Sequence, residues 1–163
     1  MSRILTPLTV RCAYEQGWFP MGGEGRPVEF FQPRRRALIP IDGIHVSRSL
    51  ARTLRRARFD VRFDTAFEQV IRACMRPADN WIDEEIVRAY VAVHQEGWGH
   101  SCECWRGGQL VGGVYGIALG SCFCGESMFH RERDASKVAL WALVERCREL
   151  GFTLMDAQIM NPH

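Results

Sequence analysis

The chain has 163 residues, 47% of them hydrophobic and 25% charged, which is enough apolar material for one domain with its own core. No apolar run reaches the roughly 20 residues that a membrane-spanning helix needs, and Met1-Ser2-Arg3-Ile4-Leu5-Thr6-Pro7 lacks the apolar region of a secretory signal, so the expected compartment is the cytoplasm. The net charge of +2 is unevenly placed: residues 26–62 hold ten arginines against three acids, +7, which leaves −5 for the rest.

Arginine suits bidentate contact with phosphate, so the N-terminal half is a candidate nucleic-acid face. A solvated basic face, or a genome rich in arginine codons, gives the same pattern. In chain order, residues 6–17 read as a helix, with Thr6 as cap and Pro7 at the first helical position. Trp18-Phe19-Pro20-Met21 ends it, and Gly22, Gly23 and Gly25 predict a mobile loop. Val28–Phe31 and Arg36–Ile39 read as short strands. Ser47 caps a helix to about Arg56 that carries Arg48, Arg52, Arg55 and Arg56 beside Leu50 and Leu54. Phe59–Phe63 alternates like a half-buried strand. Thr65 and Glu68 make a capping-box pattern for a helix to about Met75. After a loop at 77–80, Asp83 caps a helix to about Gln95, with Ile86, Tyr90, Val93 and His94 on one face and Gly97 as the stop.

Residues 98–130 form the centre of the chain. Arg106-Gly107-Gly108 and Leu119-Gly120-Ser121 cut them into three apolar runs, the pattern of an antiparallel meander. Gly112, Gly113 and Gly116 inside the second run predict a bulge or the close approach of a ligand. Glu126 is expected at the end of the third strand, as a carboxylate for chemistry or simply one in water. Of seven cysteines, Cys102/Cys104 and Cys122/Cys124 have C-x-C spacing on neighbouring strands. Their four sulfurs would converge on a zinc ion if they shared a face; packing as small apolar thiols is the other reading, and zinc sites usually use C-x2-C turns. A helix from Asp134 or Ser136 to Leu150 follows, with Leu140, Leu143, Val144, Cys147 and Leu150 as its buried stripe. Phe152–Gln158 reads as a last strand, on which Asp156 and Gln158 share a face.

Meander, long helix and strand, in that order, are similar to the core of the acetyltransferase-like (GNAT) fold. The expected class is α+β: a GNAT-like acyltransferase domain at 63–163, with a central, mostly antiparallel sheet flanked by helices, behind a small basic α/β region at 1–62. The glycine-rich pyrophosphate loop of acetyl-CoA-dependent relatives is missing, since Arg131-Glu132-Arg133-Asp134 stands before the helix.

Several further pieces occur in order along the chain: Gly17-Trp18-Phe19-Pro20, Arg34-Arg35-Arg36, His45-Val46-Ser47-Arg48-Ser49, Phe67-Glu68-Gln69-Val70-Ile71, Trp81-Ile82, Ala89-Tyr90, His94 and His100-Ser101-Cys102-Glu103-Cys104-Trp105. They continue with Leu110–Gly116, Phe123-Cys124-Gly125-Glu126-Ser127-Met128-Phe129, Ala135-Ser136-Lys137, Asp156-Ala157-Gln158, Asn161 and His163. Together they resemble the leucyl/phenylalanyl-tRNA–protein transferases.

The resemblance implies a monomeric aminoacyltransferase that moves Leu, Phe or Met from charged tRNA to a protein beginning with Arg or Lys, marking it for degradation by the N-end rule. It implies no metal and no coenzyme A, because the tRNA ester is the activated donor. Asp156 would attract the acceptor amine, Gln158 would bond the reacting centre, and Glu126 and Asn161 would orient that pair. The resemblance places Trp81, Phe123, Gly125, Ser127, Met128 and Cys147 in or beside an apolar amino-acid pocket. Trp18, Phe19, Arg48, Arg52, Arg55 and Arg56 would meet the tRNA. Met21 stands where relatives carry Trp for the terminal adenosine, which leaves stacking to Trp18 or Phe19. Cys147 is smaller than its usual counterpart and predicts a roomier pocket. The chain stops at His163, earlier than the family pattern. An inactive tRNA-binding remnant and another GNAT-like N-acyltransferase are the alternative readings.

Overall fold

The computed structural model describes residues 5–23, 25–76 and 80–159. Helix α1, Pro7–Glu15, starts at the expected Thr6, whose hydroxyl accepts from the Thr9 amide while the Thr9 hydroxyl accepts from the Thr6 amide. Gly22 and Gly23, expected in a mobile loop, instead belong to a hairpin: β1, Phe19–Gly23, pairs antiparallel with β2, Arg26–Phe31. Glycine serves close approach here. A Cβ on Gly22 would lie 2.8 Å from Asp83 Cγ, and the Gly22 and Gly23 amides donate to Trp81 O (2.8 Å) and Asp83 Oδ2 (3.3 Å). The hairpin is thereby docked on the start of the helix that Asp83 caps.

The remaining elements are β3 (Leu38–Ile39), α2 (Arg48–Arg55), β4 (Asp60–Phe63), α3 (Phe67–Ala73), α4 (Glu84–Gln95), β5 (Gly99–Arg106), β6 (Gln109–Leu119), β7 (Cys122–His130), α5 (Ala135–Glu149) and β8 (Leu154–Asp156). Six strands form one mixed sheet in the order β3-β8-β7-β6-β5-β4, antiparallel throughout except for the parallel pair β7/β8. The fold is α+β, with five helices among the described residues. One sheet face is covered by α1, α3 and α4 through Val10, Val70, Ile86 and Tyr90; the other is covered by α2 and α5 through Leu50, Ala139, Leu143 and Val144. No helix among the described residues is long and apolar enough to cross a membrane.

Two local expectations, the Thr65 cap and the place of Leu150 in the α5 stripe, are corrected, and the alternatives left open for the β6 glycines and the C-x-C pairs are decided. Thr65 forms no capping box. Its hydroxyl donates to Glu103 Oε2 (2.7 Å), and the Thr65 and Ala66 amides also point at that carboxylate, so a buried acid from β5 anchors the two residues that lead into α3. The glycines of β6 serve packing: a Cβ at Gly112 would sit 2.5 Å from Ala135 Cβ at the start of α5, and one at Gly113 would sit 3.1 Å from Val70 of α3. The predicted bulge is present between Tyr115 and Gly116. On α5 the buried stripe runs through Ala135, Val138, Ala139, Ala142, Leu143 and Cys147, whereas Leu150 is 59% exposed just past the helix end. Cys102 and Cys104 pack under α5 while Cys124 faces the opposite layer, so the four sulfurs do not converge. No cluster of three or more metal-ligating side chains occurs among the described residues.

Candidate active site

Strands β7 and β8 pair over only three residues, Cys122↔Leu154, Phe123↔Met155 and Cys124↔Asp156. β7 then continues to His130, while the segment after β8 leaves the ladder: Ala157 N donates to Ala37 O (2.8 Å) and Ala37 N to Gln158 O (3.2 Å). The two strands therefore splay, and a cleft of about 630 Å³ opens between residues 125–128 and 157–159. Its floor is apolar, from Val114, Leu140, Leu143 and Met155, and the N-terminal hairpin contributes Phe19 and Met21 to its wall.

The polar groups of the cleft form one network. Gln158 does not continue the strand: β8 ends at Asp156, and Gln158 has φ 61°, the left-handed region. The expected shared strand face is therefore replaced by a local bond, in which Asp156 Oδ1 accepts from the Gln158 amide at 2.7 Å. Gln158 Nε2 donates to Glu126 Oε1 at 2.6 Å, and the Tyr90 hydroxyl donates to Glu126 Oε2 at 3.3 Å. The Tyr14 hydroxyl lies 2.6 Å from that of Tyr90. Glu126 lies inside β7 rather than at its end. Burial pushes its carboxyl up to about 7, against the lowering effect of the Tyr14, Gln158 and Tyr90 bonds.

Asp156 turns its other oxygen away from this cleft. Oδ2 accepts from Arg36 Nη1 at 2.8 Å, and Arg36 also donates to Gly17 O and lies over the Phe19 ring, 5.7 Å from its centroid. Asp156 and Arg36 line a second cavity, of about 490 Å³, with Tyr14, Glu15, Trp18 and Cys122. The catalytic pair expected from sequence thus lies on two sides of one short segment, joined by the bond from the Gln158 backbone N–H to the Asp156 carboxylate.

The other expected residues divide by position. Trp81, Gly125, Ser127 and Met128 line the larger cleft. Phe123 and Cys147, each 2% exposed, are packed in the core and line neither cavity. Asn161 lies outside the described residues. Trp18, 39% exposed, stands at the second cavity, and Phe19 is buried beneath Arg36. Arg48, Arg52, Arg55 and Arg56 are exposed on and after α2, and no ion pair among the described residues engages them. Sequence reasoning gave no role to Arg36, Tyr14 or Tyr90 and missed the floor residues Val114 and Met155. Leu140 and Leu143 were read as core, because a 3.6-residue period marks burial without saying whether a cleft lies above it.

A family model described as leucyl/phenylalanyl-tRNA protein transferase matches residues 38–163, and the model of that family's N-terminal domain matches residues 3–34. The chain belongs to this family. It is 49% identical over 160 residues to the leucyl/phenylalanyl-tRNA–protein transferase of Gloeobacter violaceus, covering 98% of this chain and 83% of the relative. It is 52% identical over 161 residues to that of Rubrobacter xylanophilus, with coverage of 98% and 84%. Among solved structures, L-PGS from Bacillus licheniformis is similar in fold, with a TM-score of 0.51 at 12% identity, over 93% of this chain and 50% of that one. The two family matches together span the sheet, the splayed pair β7/β8 and the lining of both cavities except Arg36 and Ala37, which fall between them.

Proposed function

We propose that the chain transfers Leu, Phe or Met from aminoacyl-tRNA to the α-amine of proteins beginning with Arg or Lys, marking them for N-end-rule degradation, and that the β7/β8 splay is the reacting centre of a GNAT-like acyltransferase. Family membership supports the donor. The observation that carries the site is the Gln158–Glu126 bond beside an apolar floor.

Gln158 Nε2 donates to Glu126, so the nitrogen of the Gln158 amide is committed and its oxygen is left for substrate. An acceptor amine bonded to that oxygen attacks the ester carbonyl. The C–N bond forms, the C–O bond to the tRNA ribose breaks, and the amine's proton goes to the departing ribose oxygen. The ester is already activated, so orienting the reactants and steering one proton supply most of the catalysis. Asp156 attracts the cationic acceptor from the second cavity while Arg36 fixes the carboxylate's rotamer.

The aminoacyl side chain sits on Val114, Leu140 and Met155, beside Trp81 and Met128. An apolar floor rejects charged side chains strongly, because an unpaired charge is costly to bury. It separates Leu from Phe or Met weakly, since a methylene is worth about 1–3 kcal/mol. The test is transfer of radiolabelled Leu, Phe, Met and Lys from charged tRNA to an Arg-initiated peptide. Transfer of the first three and rejection of Lys is expected. Efficient Lys transfer contradicts the pocket, and no transfer at all contradicts the reaction.

A further inference from the structure

Cys122 and Cys124 are the remaining chemistry-bearing groups beside Asp156. Two residues along a strand have Cα atoms about 6.6 Å apart, and here both side chains lie on one face with Sγ atoms 4.0 Å apart. Both thiols line the cavity that holds Asp156 and Arg36. The strand register ties them to the catalytic segment, because Cys122 pairs with Leu154 and Cys124 with Asp156. Cys122 is half-buried, whereas Cys74, Cys102, Cys104, Cys124 and Cys147 are buried.

We infer that Cys122 is a modification site for peroxide-class oxidants, with Cys124 as its resolving thiol, and that the bridge they form shuts off transfer. The second clause rests on the reaction proposed above; the first does not. Redox-sensitive cysteines combine thiolate character, access and a neighbouring resolving cysteine. The contact with the Cys124 sulfur holds the Cys122 thiol below its ordinary range, while burial pushes Cys74, Cys102, Cys104 and Cys147 up.

The Cys122 thiolate attacks one oxygen of hydrogen peroxide, giving a sulfenic acid and hydroxide. The Cys124 thiol then displaces the sulfenic oxygen as water and forms the S–S bond. Two thiols and one peroxide become one disulfide and two waters, and the two electrons lost by sulfur reduce the peroxide. The Cα spacing is near the upper end of the disulfide range, and the sulfurs must close to about 2.05 Å. That draws β7 together where β8 is paired to it, displacing Asp156 and with it Gln158. A displacement on the order of 1 Å at a reacting centre costs about 10²-fold in rate.

The test exposes reduced wild type, Cys122→Ser, Cys124→Ser and Cys12→Ser to peroxide, blocks free thiols, and maps the products by mass spectrometry beside single-turnover transfer. Wild type and Cys12→Ser are expected to give a 122–124 peptide lighter by two hydrogens and to lose about 10²-fold in transfer, restored by dithiothreitol. Cys124→Ser should hold a sulfenic acid at residue 122 that dimedone labels, and Cys122→Ser should keep its own rate through the treatment. Absence of the bridge in wild type, or equal loss in Cys122→Ser, overturns the site. A bridge that leaves transfer unchanged overturns the shut-off. Failure of the reduced wild type to transfer counts against the reaction, and the mass readout still decides the bridge.

Discussion

Arg36 holds Asp156 with one guanidinium nitrogen and the carbonyl of Gly17 with another, at 24% exposure of its own side chain. Arg36→Ala leaves a half-buried carboxylate without its cation, so about 1–3 kcal/mol of stability should be lost. Arg36→Lys keeps the charge without the planar fork. It should restore most of that stability while acceptor KM stays raised, since the Asp156 rotamer is no longer fixed. Equal acceptor KM in wild type and Arg36→Lys would contradict a positioning role. Glu126 gives a prediction with a defined sign. Its carboxyl titrates near 7 in the folded chain against an ordinary 4.5. Between those values the folded chain binds more protons than the unfolded chain, so this contribution favours folding below about 4.5 and is lost as pH rises through 7. Glu126→Gln removes it. Denaturant titrations of both proteins should show the variant gaining on wild type as pH rises from 4.5 to 7. A constant difference across that window would contradict the buried-carboxyl account.

At the scale of elements, the sheet is set by small residues and one buried acid. Gly112→Ala would push a methyl against the Ala135 backbone, 2.9 Å away, where α5 begins. Overpacking of this kind costs about 1–3 kcal/mol, and each kcal/mol lowers the melting temperature of a chain this long by about 2–4 °C. A melting curve that does not move would mean that α5 shifts freely over β6. The meander, the capped helices at 7–15, 48–55 and 84–95, and the long helix at 135–149 were legible, because turn glycines, caps and periodicity are local signals. The β1/β2 hairpin was legible only in its second strand, read at 28–31; β1 was missed because its glycines make room for Asp83, a contact 60 residues away in sequence. The anchor at the entry to α3 was hidden for the same reason, since Glu103 comes from another strand. Glu126 and Gln158 were singled out from sequence and meet at the cleft, but that meeting depends on the left-handed φ of Gln158, which strand alternation does not predict.

For the whole molecule, the uneven charge has a spatial counterpart. α2 rests on α5 through Leu50 and Thr53, and its arginines are exposed on the outer side. Phosphate contacts make affinity fall with salt and carry little sequence information. Arg52→Ala with Arg55→Ala should weaken binding of all tRNAs alike and flatten the plot of log affinity against log salt by roughly two units. Unchanged affinity in a folded variant would remove this face from the account. The central claim is that Gln158 and Asp156 flank the reacting centre at the splay of β7 and β8. Single-turnover transfer with saturating charged tRNA and varied Arg-initiated peptide tests it most directly. Gln158→Ala should lower the maximal rate by about 10²-fold, the scale of a positioned hydrogen-bonding group. Asp156→Asn should raise the acceptor concentration needed and lower the rate while leaving tRNA affinity intact. Wild-type rates in both variants would contradict the assignment.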